Sequence, residues 1–369
     1  MPLHYPEHIT NLTPYKAGKP ISELIREKGL TKVVKLGSNE NPLGPSPLAV
    51  QSISETLNQL HRYTDPSCFS LVKSLSVKYS VAPGKIFCAS GSDAILQYII
   101  SAVTDQGDEV LSSEGTFIGW YVNVNKLGRV NQTVPLRDYK YDIPALLGAI
   151  TTRTRILYLA NPNNPTGTIF SKSEFEEILL NVPKDVLIVY DEAYSIYAES
   201  EPSYPNGLNY LLPNVIVLRT FSKSFGLAGI RLGVAFGDEE LIKTLYNVKL
   251  PFEPNMLAQA AAEGALKDDE YFRKTMELNK ISLKMLEDKC RELGILTTES
   301  SANFFLMLFK DEDTAASFTL ECMNRGLILR HVKTFGIPNG VRINSGTIEE
   351  TEFAMNVISE VVHKFPVSI

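Results

Sequence analysis

The sequence predicts an α/β protein: a mostly parallel sheet with helices on both faces, joined to a smaller α+β domain. Three observations carry that expectation. Between Ile86 and Thr220 short apolar runs alternate with stretches whose apolar residues recur at helical spacing, which is the rhythm of βαβ units. Several of those runs end in polar residues and glycine, as strands do where an open α/β sheet faces a ligand. Around Pro251 to Pro254 the rhythm stops, and a different pattern reaches the end of the chain. At 369 residues there is room for one large domain and a companion.

Taken in order, a helical pattern runs from Pro47 to about Leu60 and another starts at Phe69. IFCA (Ile86 to Ala89) reads as a strand, with a helix opening at Gly91. EVLSS (Glu109 to Ser113) leads to a helix after Thr116, and ILYLA (Ile156 to Ala160) to one from Ser173. VLIVY (Val186 to Tyr190) and VIVLRT (Val215 to Thr220) are further strands. Unbroken apolar runs of this length suit parallel strands covered on both faces. Past Pro254 come two helices, roughly Asn255 to Lys267 and Glu270 to Leu293, then a strand–helix–strand–strand–helix pattern. The large domain is expected over 46–252 and the small one over 253–369.

Composition narrows the function classes. A net charge of −6 and the absence of long charge runs argue against nucleic-acid binding. The first residues, MPLHYPEHITNLTPY, lack the apolar core of a signal peptide, and no apolar stretch approaches a membrane span. We expect a cytoplasmic protein. Cys68, Cys88, Cys290 and Cys322, like the five histidines, lack metal-ligand spacing, so no metal site is expected. Buried thiols are the commoner fate of such cysteines. Cys68 is the exception expected to reach solvent.

The chemistry concentrates in TFSKSFGLAGIRLG (Thr220 to Gly233). A lysine acting as a nucleophile toward an aldehyde needs close backbone approach and partners for the aldehyde's anionic group. Lys223 has both: Thr220 and Ser222 can hydrogen-bond a phosphate, and Arg231 can grip one as a fork. Gly226 and Gly229 allow a tight turn after it. A basic loop before a strand is the plain alternative, and two further segments weaken it. NPNNPTG (Asn161 to Gly167) and YDEAY (Tyr190 to Tyr194) each sit at the carboxyl end of an expected strand. Asp191 in the second can keep a pyridine nitrogen protonated, because a buried carboxylate favours the charged ring. Asn164 and Tyr194 offer donors to a ring hydroxyl. Gly91, Ser92 and Asp93 open a helix, where free backbone N–H groups bind a phosphate, or where Ser92 or Asp93 serves as a plain cap.

Asn164, Asp191, Tyr194, Lys223 and Arg231 in this order resemble the fold-type I pyridoxal-phosphate enzymes, and within them the class I and II aminotransferases. KLGSNENPLGPSP (Lys35 to Pro47), NLTPY (Asn11 to Tyr15), RYTDPSCFSL (Arg62 to Leu71) and ASGSDAIL (Ala89 to Leu96) are similar to segments of the histidinol-phosphate aminotransferase family. So are GLILR (Gly326 to Arg330) and GVRINSGTIEE (Gly340 to Glu350). The resemblance implies that residues 1–45 pack with the small domain. It implies that Phe117 stacks on the cofactor, with Trp120 as the competing aromatic. It further implies that Tyr63 reaches the phosphate from a neighbouring subunit, so the sites of a homodimer are shared. Arg330 and Arg342 would bind the substrate's anion, with Tyr15, Asn41 and Asn303 as further contacts. Isolated arginines are more often solvated surface charges.

The implied reaction is pyridoxal-phosphate-dependent transamination between histidinol phosphate and 2-oxoglutarate, a step of histidine biosynthesis. PFEPNMLAQ (Pro251 to Gln259) departs from the family pattern, and Glu253 beside the pocket would disfavour a phosphate. Three alternatives stay open: an aromatic or other amino-acid aminotransferase, a phospho-amino-acid decarboxylase using the same cofactor, and a non-catalytic sensor of this fold. The sensor normally carries a DNA-binding domain, for which motifs starting near residue 11 leave no room.

Overall fold

The computed structural model describes residues 3–12 and 18–365. The chain runs through α1 (Glu7–Thr10), α2 (Ile21–Lys28), β1 (Val34–Lys35), α3 (Pro47–Thr56) and α4 (Phe69–Tyr79). Next come β2 (Ile86–Ala89), α5 (Ser92–Val103), β3 (Glu109–Ser113), α6 (Ile118–Lys126), β4 (Val130–Val134) and α7 (Ile143–Gly148). The third stretch holds β5 (Thr154–Ala160), α8 (Lys172–Asn181), β6 (Leu187–Asp191), α9 (Ser195–Ala198), β7 (Val215–Thr220), β8 (Gly233–Phe236) and α10 (Glu239–Val248). The remainder is α11 (Met256–Ala265), α12 (Asp269–Glu292), β9 (Leu296–Thr297), β10 (Phe304–Leu308), α13 (Glu312–Asn324), β11 (Leu327–Ile328), β12 (Arg330–His331), β13 (Gly340–Asn344) and α14 (Ile348–Val362).

Seven strands form the main sheet in the order β2-β8-β7-β6-β5-β3-β4. It is parallel except at β8, which runs antiparallel to both its neighbours. Successive residues of a strand face opposite sides, and that splits the apolar runs between two cores. Leu157, Leu159, Ile188, Tyr190, Val215 and Val217 pack under α4, α8 and α11. Ile156, Tyr158, Leu187, Val189, Ile216 and Leu218 pack under α5, α6 and α10. Helix starts are capped by the residues expected to do so. Ser46 accepts from the Ala49 N–H ahead of Pro47, and α8 and α14 carry reciprocal Ser171–Glu174 and Thr347–Glu350 boxes.

The second unit is a four-stranded antiparallel sheet, β12-β13-β10-β9. Phe305, Met307, Val341 and Ile343 meet α12, α13 and α14 in its core. Strand β1 pairs in parallel with β11 as a separate two-stranded sheet, and Val34 and Leu327 share the same core. Two packing contacts bear on the division expected at residue 252. In α11, Ala258, Ala261, Ala262 and Ala265 lie in the core of the main sheet, because their spacing gives one flat face to α3. Near the start, the His8 ring lies against Gly128, just past α6, at 3.1 Å from where a Cβ would stand. We propose that the division falls at the start of α12 and that α1 goes with the large unit. Cys68 is fully buried at the start of α4, not exposed as expected. Among the described residues no helix is long and apolar enough to cross a membrane, and no group of three or more His, Cys, Asp or Glu could hold a metal.

Candidate active site

Strand register builds the site. Ala160 of β5 pairs with Asp191 of β6, and Asp191 with Leu218 of β7. The carboxyl ends of β5 and β6 therefore stop level, β7 continues to Thr220, and the segments after these parallel strands open into one crevice. A cavity of about 190 Å³ lies there. Its wall includes Ser92, Asp93, Phe117, Asn164, Asp191, Tyr194, Thr220, Ser222, Lys223, Arg231, Arg330 and Arg342.

On one side lies a cradle of donors. Gly91 caps α5 at φ +97°, and a Cβ there would stand 2.7 Å from Nη2 of Arg231. Gly233 faces it across the β2–β8 pair, where a Cβ would come within 2.5 Å of the Ser92 nitrogen. Only glycine lets the two backbones close on each other while the first amides of α5 stay aimed at the cavity. Arg231 holds a left-handed backbone at φ +59°, donates to the Ala228 carbonyl at 3.1 Å and pairs with Asp93 at 3.7 Å. Of the two glycines read as a turn, Gly226 is left-handed at φ +67°, and a Cβ at Gly229 would touch nothing.

Asp191 is buried at 4% exposure. Its Oδ2 accepts from the Tyr158 hydroxyl at 2.8 Å and its Oδ1 from the Ala193 N–H at 3.1 Å. Burial pushes the carboxyl up to about 6, against those two bonds, which favour the ionised form. Tyr158, unread in the sequence because it sits inside an apolar run, also lines the cavity. Its ring stacks on Trp120 at 4.5 Å and 9°. Trp120 is thus a core residue, while Phe117 faces the cavity. Glu192 points the other way, bound to Arg219 at 2.8 Å, Tyr204 at 3.0 Å and the Gly207 N–H at 2.7 Å. It is satisfied without the site.

Across from Asp191, the Lys223 ammonium stands 5.6 Å from the Tyr194 ring centre. The Tyr194 hydroxyl accepts from Asn39 Nδ2 at 2.8 Å, with Asn164 Nδ2 at 3.5 Å. Asn164 Oδ1 in turn accepts from Arg342 at 2.6 Å, and Arg342 also donates to the Gly37 carbonyl at 2.8 Å. The other asparagines of NPNNPTG brace the loop itself, Asn161 to Tyr190 and Phe170, and Asn163 to Gly115 and Thr166.

Two expected substrate contacts, Asn41 and Asn303, lie outside the cavity wall. Asn41 is not in the cavity wall: it donates to the Ser224 carbonyl at 3.0 Å and to Thr275 at 3.1 Å, tying the lysine loop to α12. Its neighbour Asn39 occupies the wall instead, at φ +56°, a conformation asparagine tolerates. Asn303 is buried behind it, donating to the Asn39 carbonyl at 3.3 Å. Tyr63 is 81% exposed and stacks on Phe252 at 4.2 Å, away from this chain's cavity. Tyr15 lies outside the described residues. Glu253 is also absent from the wall: it is buried and accepts from the Tyr98 hydroxyl. SNEN contains two asparagines two residues apart, and only the left-handed turn at Asn39 decides which enters.

The family described as aminotransferase class I and II matches residues 31–358. The chain belongs to that family. This aminotransferase is 38% identical over 341 residues to histidinol-phosphate aminotransferase 2 of Carboxydothermus hydrogenoformans, covering 92% of this chain and 94% of the relative. It is 39% identical over 359 residues to the histidinol-phosphate aminotransferase of Brevibacillus brevis, covering 96% and 98%. The crystal structure of histidinol-phosphate aminotransferase from Sinorhizobium meliloti with pyridoxal-5'-phosphate superposes with a TM-score of 0.90 at 26% identity, covering 98% of each chain. Aspartate aminotransferase of Thermus thermophilus with maleate shares the fold at a TM-score of 0.84 and 22% identity.

Proposed function

We propose that this aminotransferase carries pyridoxal phosphate on Lys223 and moves an amino group from histidinol phosphate to 2-oxoglutarate, a step of histidine biosynthesis. One observation carries the reading. A lysine, a buried carboxylate and a cradle of hydroxyls, amides and a guanidinium line one cavity together with Arg330 and Arg342. The cradle suits a phosphate, and the spacing forced by Gly91 and Gly233 leaves the α5 amides free for it. The names of the relatives supply the donor.

Bound there, the cofactor supplies an aldehyde that takes up amines and a ring that withdraws electrons. Ser92, Asp93, Thr220, Ser222 and Arg231 would hold its phosphate. Asp191 would hold a proton at the ring nitrogen, Asn164 and Tyr194 would orient the ring oxygen, and Phe117 would give the ring a flat face. The free amine of Lys223 takes the proton from the substrate α-carbon and returns it on the cofactor side. Histidinol phosphate has no carboxylate, so its phosphate occupies the place that the keto acid's carboxylate takes in the other half-reaction. Arg342 serves both, and Arg330 adds a second fork for the dianion. Glu253 lies outside this chain's cavity wall, where it accepts from the Tyr98 hydroxyl. The enzyme works as a cytoplasmic homodimer whose sites are completed by the partner subunit's Tyr63.

Presenting histidinol phosphate, histidine, phenylalanine and tyrosine separately to the holoenzyme tests the donor. Histidinol phosphate should convert the cofactor's visible spectrum to the amine form fastest. Faster conversion by phenylalanine or tyrosine overturns the assignment.

A further inference from the structure

One buried phenyl ring stands against both Arg330 and Arg342. Arg330 and Arg342 are direct partners in the register of β12 and β13. Like charges placed opposite each other on neighbouring strands repel, and Arg342 is only 5% exposed, which limits screening by water. Phe335 ends the short turn Lys333–Phe335 after β12. Its ring centre lies 5.8 Å from the Arg330 guanidinium carbon and 5.6 Å from that of Arg342. Both fall within the roughly 6 Å over which a ring face attracts a cation. The ring is itself held, 3% exposed among Leu306, Leu308, Val332 and Ile337. Apolar packing alone would explain a core phenylalanine. It does not explain one whose ring lines the cavity with a guanidinium at each of these distances.

We propose that Phe335 is a positioning residue for anion recognition, holding the guanidinia of Arg330 and Arg342 at a spacing that one dianion bridges. A phosphate dianion can engage both forks, whereas a single carboxylate satisfies one. The ring thereby favours phosphorylated donors over donors with one carboxylate. This preference rests on the function proposed above, but the geometry of the clamp does not.

The test uses the holoenzyme with Phe335→Leu, which keeps an apolar side chain and removes the aromatic face, and Phe335→Tyr, which keeps the face. Inorganic phosphate at pH 8 and propionate serve as competitive probes alongside KM and kcat for histidinol phosphate. Phe335→Leu should weaken inorganic phosphate and raise the donor KM by roughly tenfold, with kcat within about twofold and propionate little changed. Cofactor content should stay at the wild-type level, and Phe335→Tyr should restore wild-type values. Unchanged phosphate binding in Phe335→Leu overturns the proposal. So does equal weakening of phosphate and propionate, which would make the ring a mere wall. If Phe335→Leu does not fold, Phe335→Met fills the same space with a flexible chain and is read the same way. Should the wild type prefer phenylalanine while Phe335→Leu still loses phosphate selectively, the donor assignment fails and the clamp stands.

Discussion

The Asp191 carboxyl is costly where it sits. Burial raises it from the ordinary carboxylate range to about 6, so the folded chain binds that proton more tightly than the unfolded chain. The stability this group lends is full below about pH 4 and is lost as pH rises through about 6. In cofactor-free protein, Asp191→Asn should therefore stabilise the fold at pH 7.5 by on the order of 2–3 kcal/mol. Denaturant melts should show the gain shrinking as pH falls toward 4, and a gain independent of pH would refute the assignment of cause. The same substitution should slow single-turnover transamination by orders of magnitude, since the ring proton loses its counter-charge. Glu192 cannot substitute, being engaged with Arg219. Asn39 and Asn41 offer a paired contrast. Asn39→Ala removes a donor to Tyr194 and should lower kcat with modest loss of stability. Asn41→Ala should mainly lower the melting midpoint, because it strands the Ser224 carbonyl at a cost of about 1–3 kcal/mol. Kinetics and melts on both variants decide; reversed effects would return Asn41 to the site.

Most strands and helices were legible as periodicity. α4 begins at Phe69, β3 spans EVLSS and β7 spans VIVLRT, as read from the sequence. What periodicity could not show is which neighbour a helix chooses. α11 is rich in alanines that any apolar face would accept, and close contact with α3 sets it against the core of the main sheet. Gly264 marks that contact, with a hypothetical Cβ 2.3 Å from the Leu48 carbonyl oxygen and 2.7 Å from the Ser52 hydroxyl. Gly264→Ala gains helix propensity of about 1 kcal/mol, yet backbone atoms cannot step aside. It should lower stability by about 1–3 kcal/mol. Gly148→Ala, at the end of α7 with nothing within 4 Å, should instead raise it slightly. Thermal melts of the two variants moving the same way would refute the packing argument.

Across the whole molecule, Tyr63, Phe69, Leu250 and Phe252 are 81%, 70%, 63% and 46% exposed. That much apolar surface is more often an interface than a solvated face. If the partner subunit's Tyr63 completes each site, mixing Tyr63→Phe chains with Lys223→Ala chains gives heterodimers with one intact site and one doubly impaired. Activity after mixing should exceed that of either parent preparation. A fully active monomer in sedimentation would defeat the shared site. Lys223→Ala alone should stay folded and lose both the cofactor's visible band and turnover.

The sequence by itself determined the α/β rhythm, the family and the chemical kinds gathered at the site. Each of these is written in local order: apolar runs of strand length, glycines beside a lysine, a carboxylate at a strand end. Only the tertiary structure decided which of Asn39 and Asn41 faces the cavity, that Glu253 binds Tyr98, and that Tyr158 and Phe335 line the wall. Those outcomes depend on a left-handed turn, on strand register and on helix contact between residues far apart in the chain. Spacing along the sequence carries no record of them, because packing selects among side chains that local pattern treats alike.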